Sequence, residues 1–167
     1  MEAADLLVRI EDVRAEVLVC FHPQDEPAPR ERLGRLDWIL LSPLSRLRVR
    51  GKFSGGRGQS ALLAPGGKIK AERVLVLGLG GRADFSWTAY YRLSYMTAQA
   101  ILDLRATRIA LDLPYRMLPR ESPERLRRAF LEGFNAELAR GRPGVDWTVI
   151  VLPPPGIAQP PRAGVGG

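Results

Sequence analysis

The chain has 167 residues, 46% of them apolar and 26% charged, the composition of one globular domain long enough to bury a proper core. A single cysteine, Cys20, and a single histidine, His22, exclude an internal disulfide, a cysteine or histidine zinc site and a Ser-His triad. The net charge of +7 raises nucleic-acid binding, but 22 of the 25 basic residues are arginine, and only Lys52, Lys68 and Lys70 are lysine. Genomic base composition produces that bias as readily as phosphate recognition does, so nucleic-acid binding ranks third among the readings below. No apolar run reaches the ~20 residues that cross a bilayer. The start Met1-Glu2-Ala3-Ala4-Asp5 is acidic, unlike a signal peptide, so a cytoplasmic location is expected.

In chain order, residues 5–10 and 15–21 read as two strands joined by a polar link. Cys20 falls inside the second, as a buried and inert thiol. The proline-broken loop His22-Pro23-Gln24-Asp25-Glu26-Pro27 follows. Leu33, Leu36, Ile39 and Leu40 then recur at helical spacing. Ser42-Pro43 interrupts that helix, Ser42 serving as cap and Pro43 as first-turn proline of a shorter helix through Arg50.

The next stretch, Arg46 to Gly58, is the most basic in the chain. It combines cations, glycines and Phe53, the mixture a phosphate loop wants, although a solvated connector has the same composition. Residues 60–64 and 73–77 read as an antiparallel pair around Pro65-Gly66-Gly67. The run Val74-Leu75-Val76-Leu77-Gly78-Leu79-Gly80 is apolar, branched and closed by glycines. It predicts a strand buried on both faces at the centre of an α/β sheet. Gly78-Leu79-Gly80-Gly81-Arg82-Ala83 also fits the loose pattern G-x-G-x-x-A. A dinucleotide fold, however, needs its helix to begin on the glycines, and Ala83-Asp84-Phe85 intervene, with Asp84 placing negative charge where a phosphate would lie.

Asp84 or Ser86 is positioned to cap a helix over 87–104, whose Trp87, Tyr90, Tyr91 and Leu93 suit packing on a sheet. Residues 108–113 form another buried strand, stopped by Pro114. Ser122-Pro123-Glu124 opens a helix with Ser as cap, Pro at the first position and an acid at the positive end. Leu126, Phe130, Phe134 and Leu138 mark its buried face, and Gly141 ends it. A last strand covers 147–152, and the Pro/Gly-rich 153–167 reads as a disordered tail or linker. The expected division is thus a domain over 1–152 and a tail over 153–167.

The order and spacing of Arg50-Gly51-Lys52-Phe53-Ser54-Gly55-Gly56-Arg57-Gly58-Gln59, Leu62-Leu63-Ala64-Pro65-Gly66-Gly67, Arg73 to Gly80 and Ile109-Ala110-Leu111-Asp112-Leu113-Pro114 resemble the N-terminal domain of the leucyl aminopeptidases. The likeness runs from about Asp5 to Pro154. It implies a macro-domain-like, three-layer α/β/α fold with a mixed, mostly parallel sheet. In that family catalysis belongs to a separate domain with two divalent metals, near an Asn-Thr-Asp-Ala-Glu-Gly-Arg segment that has no counterpart here. No catalytic residue, metal ligand or cofactor is therefore carried over. Two-metal chemistry needs several converging carboxylates, and only Asp103 and Asp112 lie near predicted sheet or helix ends by the central glycines.

The first reading is a non-catalytic interaction and assembly module, whose partner is another copy of itself or an aminopeptidase-like catalytic chain, with no membrane contact. The second is a nucleotide or ADP-ribose-type binder, because related macro domains bind ADP-ribose. Those domains use glycine-bearing loops where this chain has His22-Pro23-Gln24-Asp25-Glu26-Pro27 and Pro114-Tyr115-Arg116-Met117-Leu118-Pro119, both without glycine. The remaining candidate ligand-binding residues are Gly78, Gly80, Gly81 and Arg82, with Gly55, Gly56 and Arg57.

Overall fold

The computed structural model describes residues 8–155. Its elements are β1 (Val17–His22), α1 (Glu31–Ile39), α2 (Pro43–Val49), β2 (Ser60–Leu63), β3 (Arg73–Gly78), α3 (Trp87–Leu104), β4 (Arg108–Leu111), α4 (Pro123–Gly141) and β5 (Thr148–Val151). The five strands form one sheet in the order β2-β3-β1-β4-β5. β2 runs antiparallel to β3, and the other neighbours are parallel, so the sheet is mixed and mostly parallel as expected.

β1, not the run from Val74, occupies the centre. Both strands are interior and apolar on both faces, so composition cannot rank them. Connectivity does: β3 must lie beside its antiparallel partner β2, which takes the edge. Strand alternation then divides the core in two. Val17, Val19, Phe21, Leu75, Leu77, Ile109 and Leu111 point to one face and pack under α3 and α4. Leu18, Cys20, Val74, Val76 and Ala110 point to the other, under α1, α2 and Phe53. Across the first core Phe130 meets Phe21 and Tyr90 edge to face, at 6.0 and 5.8 Å between ring centroids. The Tyr90 hydroxyl donates to Leu126 O at 2.8 Å and ties α3 to α4.

Three local expectations need correcting. Within 5–10, residues 5–7 lie outside the described part; Val8 and Arg9 are not in a strand, and Ile10–Asp12 is a 3-10 turn. Secondly, Ser42 makes no side-chain cap for α2 and stands in the left-handed region at φ 60°. The cap comes from Asp37, whose Oδ1 accepts from Leu44 N at 2.8 Å and whose Oδ2 accepts from Ser45 Oγ at 2.6 Å. Finally, the strand expected over 108–113 pairs only as Arg108–Leu111. Of the two caps read for α3 the structure uses Ser86, whose Oγ accepts from Ala89 N, and α4 is capped as read, with Ser122 Oγ accepting from Arg125 N. Most of the expected 153–167 tail lies outside the described residues.

Candidate functional site

The candidate glycines do come together, and they meet each other. The loop carrying Gly55, Gly56 and Arg57 lies across the end of β3. Gly78 N donates to Gln59 O at 2.9 Å, and Gly80 N donates to Gly55 O at 2.9 Å. A Cβ on Gly78 would stand 2.1 Å from Gly56 O, and one on Gly55 would stand 2.9 Å from His22 O. Only glycine permits this backbone approach. Gly56 N is bonded to the Gln59 side chain and Arg82 N to Asp25 Oδ2. Most of the donors that could have cradled a phosphate are thus satisfied by the chain itself. Gly81 faces open space, and Arg57 is exposed without an ion-pair partner among the described residues.

In an open α/β sheet, ligands sit beyond the carboxyl ends of the strands, where the strand order reverses. Here that place lies beyond β1, where the chain has placed β3 on one side and then β4 on the other. Phe21, Pro23, Leu79, Asp112 and Tyr115 line a crevice there of only about 50 Å³. Ion pairs occupy its rim. Glu26, buried in the loop after β1, accepts from Arg82 and pairs with Arg116 at 2.9 Å. Arg116 also reaches Glu31 at 3.3 Å. On the other side Arg32 pairs with Asp112 at 2.7 Å and donates to Pro153 O at 2.6 Å. Burial pushes the Asp112 carboxyl above its usual range, and Arg32 pulls part of that back.

Sequence reasoning named Arg82 as a ligand residue and missed Glu26, Arg32 and Arg116. Their partners lie 56 to 90 positions apart in sequence, and no local pattern joins them. Asp112 was weighed with Asp103 as a carboxylate near the glycines. The structure separates them: Asp112 faces the crevice, and Asp103 is exposed on α3. Among the described residues no three of His, Cys, Asp or Glu converge as a metal-binding group, so these residues do not fit a two-metal centre.

Beneath the loop after β1, His22 is buried, and its Nε2 lies 2.9 Å from Arg48 Nη1. A guanidinium only donates, so Nε2 is the acceptor and the ring is neutral with its proton on Nδ1. Burial first, and Arg48 second, hold the imidazole below its ordinary value of 6.5. Arg48 further donates to Ser54 O and Gln24 O, locking α2 to both loops around the glycines.

A mixed five-stranded sheet with helices on both faces, and with its crevice at the carboxyl ends of the strands, defines a macrodomain-like α/β protein. The profile described as the cytosol aminopeptidase family, N-terminal domain, matches residues 17–138, and the chain belongs to that family through this domain. A probable cytosol aminopeptidase of Roseiflexus castenholzii is 33% identical over 94 residues, 56% of this chain and 19% of that protein. A tomato leucine aminopeptidase mutant superposes with a TM-score of 0.63 at 24% identity, covering 84% of this chain and 30% of the other. A Trypanosoma brucei macrodomain, solved in complex with ADP, has a TM-score of 0.64 at 15% identity, over 86% of this chain and 60% of its own. The chain therefore spans under a third of the aminopeptidases it matches, and the two structural likenesses establish the fold.

Proposed function

We propose that this domain is a non-catalytic interaction and assembly module, partnering with another copy of itself or with an aminopeptidase-like catalytic chain. The observation that carries this reading is the crevice. Ligand pockets for nucleotide-sized molecules run to roughly 300–1,000 Å³, against about 50 Å³ here. Of the four arginines that line the crevice, Arg32, Arg82 and Arg116 are engaged by Asp112, Glu26 and Glu31, and only Arg30 is exposed without an ion-pair partner among the described residues. Residues 1–152 act as the binding unit, and 153–167 as its Pro/Gly-rich tail or linker. No cofactor is required, since the family's two divalent metals belong with the catalytic domain, and the setting is the cytoplasm.

The second reading, binding of a nucleotide or ADP-ribose-type ligand, is favoured by the macrodomain fold and by the neighbour solved with ADP. It requires Glu26 to release Arg82 and Arg116, which leaves a buried carboxylate without a partner, at a cost of about 3–5 kcal/mol.

Sedimentation velocity on the chain alone, and mixed with the separately produced catalytic domain of the Roseiflexus castenholzii relative, tests the first reading. The expected result is a larger species in one or both samples at micromolar concentration. A strict monomer in both, together with micromolar binding of ADP-ribose, would reverse the order of the two readings.

A further inference from the structure

The formal charge of +7 is not spread over the molecule. Seven of the 25 Arg and Lys fall within residues 38–71, which contain no Asp or Glu, and the other 18 are balanced by the chain's 18 acids. This segment holds the end of α1, α2, the glycine loop and β2. Lys70 pairs with Asp12, and Arg48 is spent on His22 and two carbonyls. Arg46, Arg50 and Lys52 stand exposed, without an ion-pair partner among the described residues. On α2 the exposed residues Arg46, Val49 and Arg50 share one face at i, i+3 and i+4 spacing.

The same hairpin of helices holds large apolar side chains out in water. Trp38 is 75% exposed, Leu41 63% and Val49 89%. Leu41 and Ser42 are consecutive non-glycine residues in the left-handed region, at φ 68° and 60°. Each costs about 1–2 kcal/mol there. The turn is nevertheless fixed, because Asp37, 3% exposed, bonds Leu44 N and Ser45 Oγ through its carboxylate and Ser42 N through its carbonyl. A buried carboxylate thus fixes the turn that carries the exposed Trp38 and Leu41, and this turn leads straight into the helix that carries Arg46 and Arg50. Strain held in this way is characteristic of binding surfaces, and Trp and Arg are the residues that dominate interface energies.

We infer that the α1–α2 hairpin is a docking surface for an acidic protein partner, with Trp38, Leu41 and Val49 as the apolar centre and Arg46, Arg50 and Lys52 as the cationic rim. This rests on the reading of the domain as an interaction module and adds which face it uses. Charge selects the partner. A second copy meeting this face with its own would set cations against cations, which electrostatic complementarity forbids. Nucleic acid would engage the cations but gives Leu41 and Val49 nothing to bury against, and Trp38 is the hairpin's only aromatic residue for stacking. An apolar surface ringed by carboxylates satisfies both halves.

The probe is a fluorescently labelled amphipathic helical peptide with a leucine face and a glutamate face, titrated with the whole chain and followed by anisotropy. Binding in the micromolar range is expected, weakening about tenfold or more between ~0.05 and ~0.3 M salt, as contacts between exposed charges do. A Trp38→Ser, Leu41→Gly double variant, in which glycine relieves the left-handed strain, should bind at least about tenfold more weakly. So should a triple Arg46→Glu, Arg50→Glu, Lys52→Glu variant. A triple reversal at the exposed Arg120, Arg127 and Arg128, with the same net charge, should bind like the parent. Equal losses in both triple variants would mean that net charge and not this face is read, and would overturn the assignment. So would no peptide binding, or a DNA oligonucleotide bound more tightly than the peptide and indifferent to the Trp38 variant. A complex with a catalytic domain that survives all the hairpin variants would leave the interaction module standing and remove this surface from it.

Discussion

At the scale of single residues, one carboxylate and one imidazole set the outcome for α2 and the loops above it. Asp37→Ala leaves the buried Leu44 N–H without an acceptor and should cost about 1–3 kcal/mol in urea denaturation. Ser42, which makes no cap bond, should tolerate Ala within about 0.5 kcal/mol, and Ser42→Gly should stabilise, since glycine adopts φ > 0 without strain. A larger loss at Ser42 than at Asp37 would contradict the assignment of the cap. His22 is held neutral by burial and by Arg48, with Glu26 and Asp37 partly offsetting them. Its folded pKa is therefore lower than its unfolded one. The unfolded chain binds more protons below the ordinary value of about 6.5, so the stabilisation is complete above that pH and is lost as pH falls through it. Thermal melts should show Tm dropping as pH falls below about 6.5, with a smaller drop for His22→Gln. A Tm independent of pH in both proteins would contradict a neutral, arginine-bound imidazole.

At the scale of elements, the sequence made some features legible and hid others for identifiable reasons. The starts of α3 and α4 could be read to the residue, because Ser86 and Ser122 are local caps and the apolar periodicity is long. The cap of α2 was hidden because its acceptor lies seven residues before the amide it binds, across a left-handed turn that no residue type advertises. Sheet order was hidden because Val17–His22 and Arg73–Gly78 are equally apolar, and only the edge strand β2 decides which is central. The glycines of the candidate site were visible, and their packing against one another was not. Gly78→Ala would drive a methyl into Gly56 O and should destabilise the domain by several kcal/mol, whereas Gly81→Ala meets nothing within 4 Å and should be near neutral. Similar melting temperatures for these two variants would contradict the close crossing of the glycine loop over β3.

At the scale of the whole molecule, the fold offers a crevice and the sequence fills it. The loops after β1 and β4, which lack glycine, supply Glu26 and Arg116. These close with Arg82 and Glu31 into a ladder of alternating charges. With no converging set of metal-binding side chains among the described residues, the purified chain should leave leucyl chromogenic substrates at background with added zinc or manganese. Metal-dependent turnover that follows the protein through successive columns would contradict that. The most direct test of the central claim, that the crevice is closed by the protein's own ion pairs, is calorimetric titration of the full chain with ADP-ribose. No binding tighter than about millimolar, a gain of only about 4 kcal/mol, is expected. A micromolar dissociation constant would contradict it.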